Sequence, residues 1–200
     1  MTGSQRKPWC RSRFGLGLGF ALVVLWGLSA AAQTAPPPAL EQWFPRLQPG
    51  QWIKVEGLPE PRGGLRAHEL KIITGERDES QVTCTVLRLD PAAKSFRTNL
   101  GLQVVTDRRT EVQDRHKQRT SFSVVQPGTR VEAEGKLRKD GALLAEEVEI
   151  QKPKKSGDQP DDDEITGRIE SVDREARKVV VLGIPVFFDD RTRLKSPIPD

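Results

Sequence analysis

A stretch of 29 residues occurs twice in this chain. Residues 44–72 read FPRLQPGQWIKVEGLPEPRGGLRAHELKI, and residues 122–150 read FSVVQPGTRVEAEGKLRKDGALLAEEVEI. The copies lie 78 residues apart, align without a gap and share eleven identical residues. Self-similarity of this kind indicates a duplicated supersecondary unit. The repeat therefore constrains the fold more than any single motif does.

Each copy has the alternation of apolar and charged residues that is typical of half-buried strands. In the second copy Val131 and Ala133 alternate with charged residues, and an Asp-Gly pair at 140–141 predicts a hairpin turn. The two-residue period then slips by one residue at 146–147, and the first copy slips at the equivalent place. A slip present in both copies predicts a β-bulge.

A second, fainter repeat separates and follows these copies. Residues 81–112 and 164–194 align with one gap near Leu100, and both contain Val-x-x-Asp-x-Arg-Thr near their ends. If the first repeat is named B and the second A, the chain order is B, A, B, A. Short strands with glycine-rich turns predict an all-β fold of small barrels.

The order of the repeats predicts the domains. Residues 79–151 hold one A and one B and make a complete unit. The outer B, residues 40–75, and the outer A, residues 164–200, are each half a unit with an unpaired edge. We expect these halves to pair, within one chain or between two. The predicted fold is two small antiparallel barrels, one of them closed by the N- and C-terminal halves.

The first 32 residues have the features of an export signal. Four basic residues precede an apolar core at 14–28, and three alanines predict cleavage after Ala32. Fifteen apolar residues are fewer than the roughly 20 that a membrane-spanning helix needs, and a retained anchor is the competing interpretation. We expect a Sec-type signal, a periplasmic or secreted protein, and no stable membrane span after cleavage.

The remaining chain carries no net charge. Without residues 1–32 it has 28 basic and 28 acidic residues, so the basic balance of the whole sequence belongs to the leader. Charge therefore gives no argument for a nucleic-acid or membrane partner. Only Cys84 remains, so no intramolecular disulfide is available. Because it alternates with Val82 and Val86, we expect it to be a small inward-facing filler.

Two segments read as connections between units. Residues 33–39 are a proline-rich tether, and residues 152–163 are a charged linker with proline, glycine and serine. The three aspartates at 161–163 offer Ca²⁺ ligands as an alternative. Consecutive side chains of an extended chain point apart, however, and a calcium loop has its own glycine spacing. We therefore predict a solvated linker and no metal site.

These spacings resemble the DUF5666 family, a bacterial domain of unknown function. The resemblance is carried by residues 166–169, Val172-Asp173, Gly183 and 189–192, and in the complete unit by 125–150. It implies exported, repeated, OB-like β-barrel modules with no assigned activity. Cys84 departs from the pattern because it stands where the family has a glycine.

The sequence predicts no catalytic, cofactor or metal residue. His68 and His116 have no partners at a metal-ligand spacing. His68 falls at the predicted bulge and is expected on the surface, and His116 lies in a loop whose basic charge is diluted by acidic neighbours. No nucleophile is paired with a base, so we predict that the protein is not an enzyme.

Two aromatic residues are the candidates for a binding patch. Trp52 lies between Gln51 and inward-facing Ile53, so we expect its side chain to face outward. Phe187 stands likewise beside inward-facing Val186. If the outer halves pair, these two side chains form one patch for a ligand or for packing between barrels.

We therefore predict an exported, non-enzymatic binding or interaction module of the cell envelope, whose partner is a protein or a small ligand. The first alternative is an envelope carrier of a small ligand or metal. The second is an OB-type nucleic-acid-binding protein. The neutral charge and the few aromatic residues disfavour this second alternative.

Overall fold

The structure is a computed structural model that describes residues 39–75, 77–152 and 162–196. The predicted leader, residues 33–38 of the tether and residues 153–161 of the linker lie outside this part of the chain. The described part contains one short helix, α1 (Leu40–Trp43), and two 3₁₀ turns, Phe44–Arg46 and Phe122–Val124. Among the described residues no helix has the length and apolarity to cross a membrane.

Thirteen strands make up the rest of the described secondary structure. In chain order they are β1 (Trp52–Pro59), β2 (Leu65–Ile73), β3 (Ser80–Asp90), β4 (Ser95–Thr98), β5 (Gln103–Val105), β6 (Glu111–Gln113), β7 (Arg119–Thr120), β8 (Arg130–Leu137), β9 (Leu143–Ile150), β10 (Asp163–Asp173), β11 (Lys178–Val181), β12 (Ile184–Phe187) and β13 (Arg193–Leu194).

All of these strands belong to one mixed sheet, so the prediction of an all-β fold is confirmed. In the central half, β3, β4, β5, β9 and β8 each pair with the next, and β8 pairs again with β3. In the outer half, β10, β11, β12, β2 and β1 form the same circuit of pairings. The first B copy is thus hydrogen-bonded to the C-terminal strands.

The prediction of purely antiparallel strands is wrong. β5 and β6 run parallel to β9, and β12 and β13 run parallel to β2. Strand direction can alternate all the way round a circuit only when the number of strands is even. Because each circuit has five strands, one pair in each must be parallel.

The two halves are joined by a short antiparallel pairing of β3 with β10, which we call the seam. Val82 lies opposite Ile165 there, with one further pair on each side. Val82 and Ile165 are also equivalent residues of the two A copies, which are 83 residues apart in this region. The seam therefore relates the two halves by a pseudo-twofold axis, and the buried apolar side chains form one core cluster.

The predicted β-bulge is confirmed in both halves. The register of β8 and β9 passes from Glu134 opposite Glu147 to Gly135 opposite Ala145, which leaves one residue of β9 without a partner. The register of β1 and β2 shifts at the equivalent place, between Glu56 and Gly57. The slip in the hydrophobic period thus marks the extra residue that bends each long hairpin.

A glycine opposite each bulge has no room for a side chain. A Cβ atom on Gly135 would lie 2.1 Å from the carbonyl oxygen of Leu144, and one on Gly57 would lie 2.1 Å from that of Arg66. The backbone of the bulge causes this close approach. It explains why both B copies contain glycine at this position.

A threonine hydroxyl closes each bulge from the other side. Thr110 Oγ1 donates to the carbonyl oxygen of Ala145 at 2.6 Å, and Thr192 Oγ1 donates to that of Ala67 at 2.8 Å. Both threonines are the last residue of the repeated Val-x-x-Asp-x-Arg-Thr motif. This motif therefore has a structural role in both halves.

The residues before β1 add an aromatic cluster to the core. Leu40, Trp43, Phe44 and Leu47 are all buried. The Trp43 ring packs edge-on against Phe188, with ring centroids 5.7 Å apart. The regularly spaced apolar side chains of this segment thus cover the part of the core that lies in the outer half.

We predict that Gly135→Ala destabilises the protein by more than about 2 kcal/mol, because the new methyl group meets a backbone oxygen that cannot move independently. Gly101→Ala is the control. Gly101 has φ +89° but open space around its Cβ position, so this change is expected to cost only about 1 kcal/mol of backbone strain. Urea unfolding measures both, and equal losses contradict the steric explanation.

We predict that Thr192→Val lowers the free energy of unfolding by about 1–2 kcal/mol, because it removes a buried hydrogen bond to the bulge. Thr192 is only 4% exposed. Thr110 is less buried, so Thr110→Val is expected to have the smaller effect. Chemical denaturation of the two variants tests this order, and a stability of Thr192→Val equal to that of the unmodified protein argues against a structural role.

Candidate functional site

One cross-strand pair in each half lies beside the seam, and these two pairs are equivalent by sequence. In the central half Thr85 lies opposite Arg130, and in the outer half Arg168 lies opposite Trp52. The repeats align Thr85 with Arg168, and Arg130 with Trp52. Each half thus places one guanidinium beside the seam. In the central half it belongs to the B copy, as Arg130, and in the outer half it belongs to the A copy, as Arg168.

A buried carboxylate closes the central pair. Asp163, the first residue of β10, is only 1% exposed. Its Oδ1 accepts from Arg130 Nη1 at 2.8 Å, and its Oδ2 accepts from Asn99 Nδ2 at 2.6 Å. The prediction that residue 163 belongs to a solvated linker is wrong, because these donors replace the water that a buried carboxylate loses.

Cys84 lies close to this ion pair. Its side chain is fully buried, as predicted for an inward-facing filler. Burial raises the pKa of the thiol, and the negative charge of Asp163 raises it further. The thiolate is therefore strongly disfavoured, which makes this cysteine unreactive.

The equivalent position in the outer half has no carboxylate. Ser80 stands where the repeat alignment places Asp163 in the other half. Beside it lies a cleft of ≈ 370 Å³, which we call the Trp52 cleft. Its lining residues are Trp52, Arg77, Asp78, Ser80, Lys136, Leu137, Arg168, Glu170 and Leu182.

Two arginines of the Trp52 cleft have no ion-pair partner in the part of the chain that the structure describes. These are Arg77, from the segment between β2 and β3, and Arg168 of β10. The third cation, Lys136, already has Glu146 at 3.3 Å. The cleft therefore contains two guanidinium groups that form no ion pair with the described residues.

The two carboxylates of the Trp52 cleft differ in their attachment. Glu170 Oε1 accepts the backbone N–H of Gly183 at 2.8 Å, which ties it to the turn between β11 and β12. Asp78 lies in the same segment as Arg77. With three cations and two anions among its lining residues, the cleft is weakly cationic.

Basic side chains continue beyond the Trp52 cleft. A neighbouring cleft of ≈ 370 Å³ shares Arg77 and adds Lys54 and Lys71. Lys54 Nζ lies 2.7 Å from Glu164 Oε2. Burial lowers the pKa of Lys54, but the hydrogen bonds and charges of Glu164 and Glu56 together raise it above its ordinary value.

Trp52 faces away from the inward side chain of Ile53, but it is not exposed. Only 8% of the residue is accessible, and the guanidinium carbon of Arg168 lies 5.5 Å from its ring centroid and covers part of the ring. Its indole Nε1 is buried and has no hydrogen-bond partner. The expectation of an exposed aromatic side chain is therefore wrong, since stacking by a neighbouring arginine covers the ring.

Trp52 and Phe187 do not form the single patch that the sequence predicted. Trp52 pairs with Ile73 at one end of β2, whereas Phe187 pairs with Arg66 near the other end. Seven residues of strand separate these partners, which is roughly 23 Å. Phe187 instead lines a different cleft of ≈ 430 Å³, formed with the turn between β1 and β2.

The histidines lie in structural positions. His68 is the extra residue of the first bulge, and its Nε2 lies 3.5 Å from Asp162 Oδ1 at the surface. His116 is exposed in the turn between β6 and β7, where Asp114 Oδ1 accepts its backbone N–H at 2.8 Å. Among the described residues, no group of three or more His, Cys, Asp or Glu side chains is arranged to hold a metal ion.

Sequence reasoning missed the residues that distinguish the two halves. The repeats already align Ser80 with Asp163 and Trp52 with Arg130, and these differences were the available signal. Their meaning depends on which strands meet at the seam. That pairing joins residues about 80 positions apart and leaves no periodic pattern in the sequence.

The fold and the seam define a duplicated all-β protein in which one half is completed by the chain termini. A family model described as a domain of unknown function, DUF5666, matches residues 85–149 and 166–198. The chain belongs to the DUF5666 family. No curated protein and no solved structure matches it. The matched segments leave the first B copy, and with it Trp52, outside the family model.

We predict that Asp163→Asn destabilises the protein by about 3 kcal/mol, because it leaves the largely buried guanidinium of Arg130 without a counter-charge. Asp162→Asn is the matched control, since Arg130 contacts only the backbone carbonyl of Asp162. Thermal and urea unfolding measure the two variants. Equal stability of both variants contradicts the role assigned to the Asp163 carboxylate.

Proposed function

We propose that this protein is an exported, non-enzymatic binding module of the cell envelope. We further propose that it consists of two OB-like β-barrels and that its partner binds in the Trp52 cleft. One observation carries this proposal. Of two equivalent positions beside the seam, one holds the buried carboxylate of Asp163, whereas the other has Ser80 and borders the Trp52 cleft.

The circuits of strand pairing support OB-like barrels. An OB barrel has five strands in a Greek-key arrangement. In the central half the circuit follows the order first, second, third, fifth, fourth, with the third and fifth strands parallel. The outer half follows the same order when β10 is counted as its first strand. Its fourth and fifth strands then come from the start of the described chain.

Energetics support the cleft as a binding site. A buried indole N–H without a partner costs about 1–3 kcal/mol, and neither Arg77 nor Arg168 gains an ion pair among the described residues. Leu182, in the cleft wall, has φ +55°, a left-handed conformation that costs a leucine about 1 kcal/mol or more. An unsatisfied donor and a left-handed residue in the wall of one concave site support its use for binding.

The described residues favour binding over catalysis. Cys84 is fully buried and its thiol pKa is raised, so it is a poor nucleophile. Thr110 and Thr192 direct their hydroxyls to backbone oxygens of the bulges. The family motifs thus serve the fold, and the Trp52 cleft contains charged and aromatic groups suited to recognition.

Export rests on the sequence of the leader. The basic residues, the apolar core at 14–28 and the three alanines are the features of a Sec-type signal. We propose a periplasmic or secreted location, with the partner a protein or a small ligand in the envelope.

Nucleic acid is the less favoured partner. Single-strand binding needs exposed aromatic platforms beside a cationic groove, whereas Trp52, Trp43 and Phe96 are buried. One cross-strand row of the outer face also carries five glutamates. They are Glu69, Glu56, Glu164, Glu132 and Glu149. Several of these glutamates pair with lysine or arginine, so this face offers no continuous cationic groove for a phosphate backbone.

We predict that Leu137→Glu abolishes capture of the partner from an envelope extract. Leu137 lines the Trp52 cleft and is 38% exposed, so a charged side chain there is expected to block the cleft and leave the fold intact. Affinity capture followed by identification of bound proteins and small molecules is the measurement. Leu87→Glu is the matched control, because Leu87 is 56% exposed and lies outside the cleft.

Loss of capture in Leu137→Glu with retention in Leu87→Glu supports the proposal. Identical capture by both variants and the unmodified protein contradicts it. A fluorescence titration with an oligonucleotide tests the alternative, since Trp52 quenching that weakens steeply with salt indicates nucleic-acid binding.

A further inference from the structure

We infer that the Trp52 cleft binds a carboxylate group, carried by a ligand that also has an apolar part. This inference deepens the proposed function and rests on it, since it names the chemistry of the partner for the same site. The inference comes from comparing the two halves of the molecule. The same position is occupied by a carboxylate in the central half and not in the outer half.

The occupied version shows which chemistry satisfies this position. In the central half, the guanidinium of Arg130, from the cross-strand pair beside the seam, binds the carboxylate of Asp163. That carboxylate comes from the other half of the molecule, at the start of β10. A carboxylate supplied from outside the half-unit is therefore the natural occupant beside this pair of strands.

The outer half has its cation on the opposite strand of the pair and lacks the carboxylate. Arg168 provides the guanidinium in the outer half, and Ser80 takes the place of Asp163. A serine side chain ends at a hydroxyl, which is a hydrogen-bond donor to a carboxylate and leaves space for one. The volume of ≈ 370 Å³ is sufficient for a ligand larger than the carboxylate alone.

A second cation strengthens the case for an anionic ligand. Arg77 lies on the segment that leads to Ser80 and lines the cleft together with Arg168. Neither arginine has a carboxylate partner among the described residues. Two guanidinium groups that line one cleft suit a carboxylate, which can accept two parallel hydrogen bonds from one planar guanidinium and further bonds at its remaining lone pairs.

The remaining lining residues determine the rest of the ligand. Trp52, Leu137 and Leu182 supply apolar surface beside the cations. Asp78 and Glu170 add two negative charges at the same cleft, so a ligand with several negative charges is repelled. A single carboxylate next to an apolar or aromatic group therefore fits best.

The experiment uses protein purified after expression of the full chain and follows ligand binding by saturation-transfer NMR. The probe is benzoate, and benzamide is its neutral counterpart of similar shape. The peptide acetyl-Ala-Asp-Ala-amide presents the same group on a chain and so separates a small-molecule source from a peptide source. We expect binding of benzoate, of the peptide or of both, and at least about tenfold weaker binding of benzamide.

Two variants locate the binding. Arg168→Gln is expected to weaken binding of the carboxylate probe by about tenfold or more. Its control, Arg191→Gln, changes an exposed arginine outside the cleft and is expected to have no effect. Ser80→Asp places a carboxylate at the position of Asp163 and is expected to abolish binding. Thermal unfolding verifies that each variant is folded.

The outcomes separate this inference from the proposed function. Benzamide binding as tightly as benzoate, in a manner that Leu137→Glu abolishes, overturns the carboxylate inference and retains the cleft as a binding site. Carboxylate binding that Arg168→Gln leaves unchanged also overturns the inference. Absence of probe binding, combined with capture that Leu137→Glu does not alter, overturns both.

Discussion

The pairing of β3 with β10 at the seam determines the arrangement of every other strand. It places Val82 against Ile165, and each of these strands then continues into its own circuit of five. One edge of β3 is shared between β10 and β4, and one edge of β10 between β3 and β11. The buried Asp163 carboxylate lies where this sharing occurs, with donors from β8 and the turn after β4.

The two halves use the same devices for folding, and this explains why the family motifs do not indicate an activity. Gly57 and Gly135 stand where the bulge allows no Cβ, and Thr110 and Thr192 bind the bulge backbone. The glycines and threonines at these positions are explained by the backbone geometry of the bulges and give no information on activity. We therefore place the proposed function where the two halves differ, at the Trp52 cleft.

Several features of the fold followed from the sequence because they depend on local periodicity. Alternation predicted the strands, a slip of one residue predicted both bulges, and the flanking valines predicted that Cys84 is buried. Relations between distant segments were less accessible. The parallel pairs, the burial of Asp163 and the separation of Trp52 from Phe187 all depend on the register of strands far apart in the chain.

The sequence by itself determined the duplication, the all-β class and the positions at which the backbone bends, because each is encoded by the order of side chains along one strand. Tertiary structure decided which copies meet, and therefore that Arg130 is neutralised by Asp163, while Arg168 has no carboxylate partner among the described residues. The physical reason is that a charge's partner is set by distance in space. At the seam that distance depends on a strand pairing formed between residues about 80 positions apart.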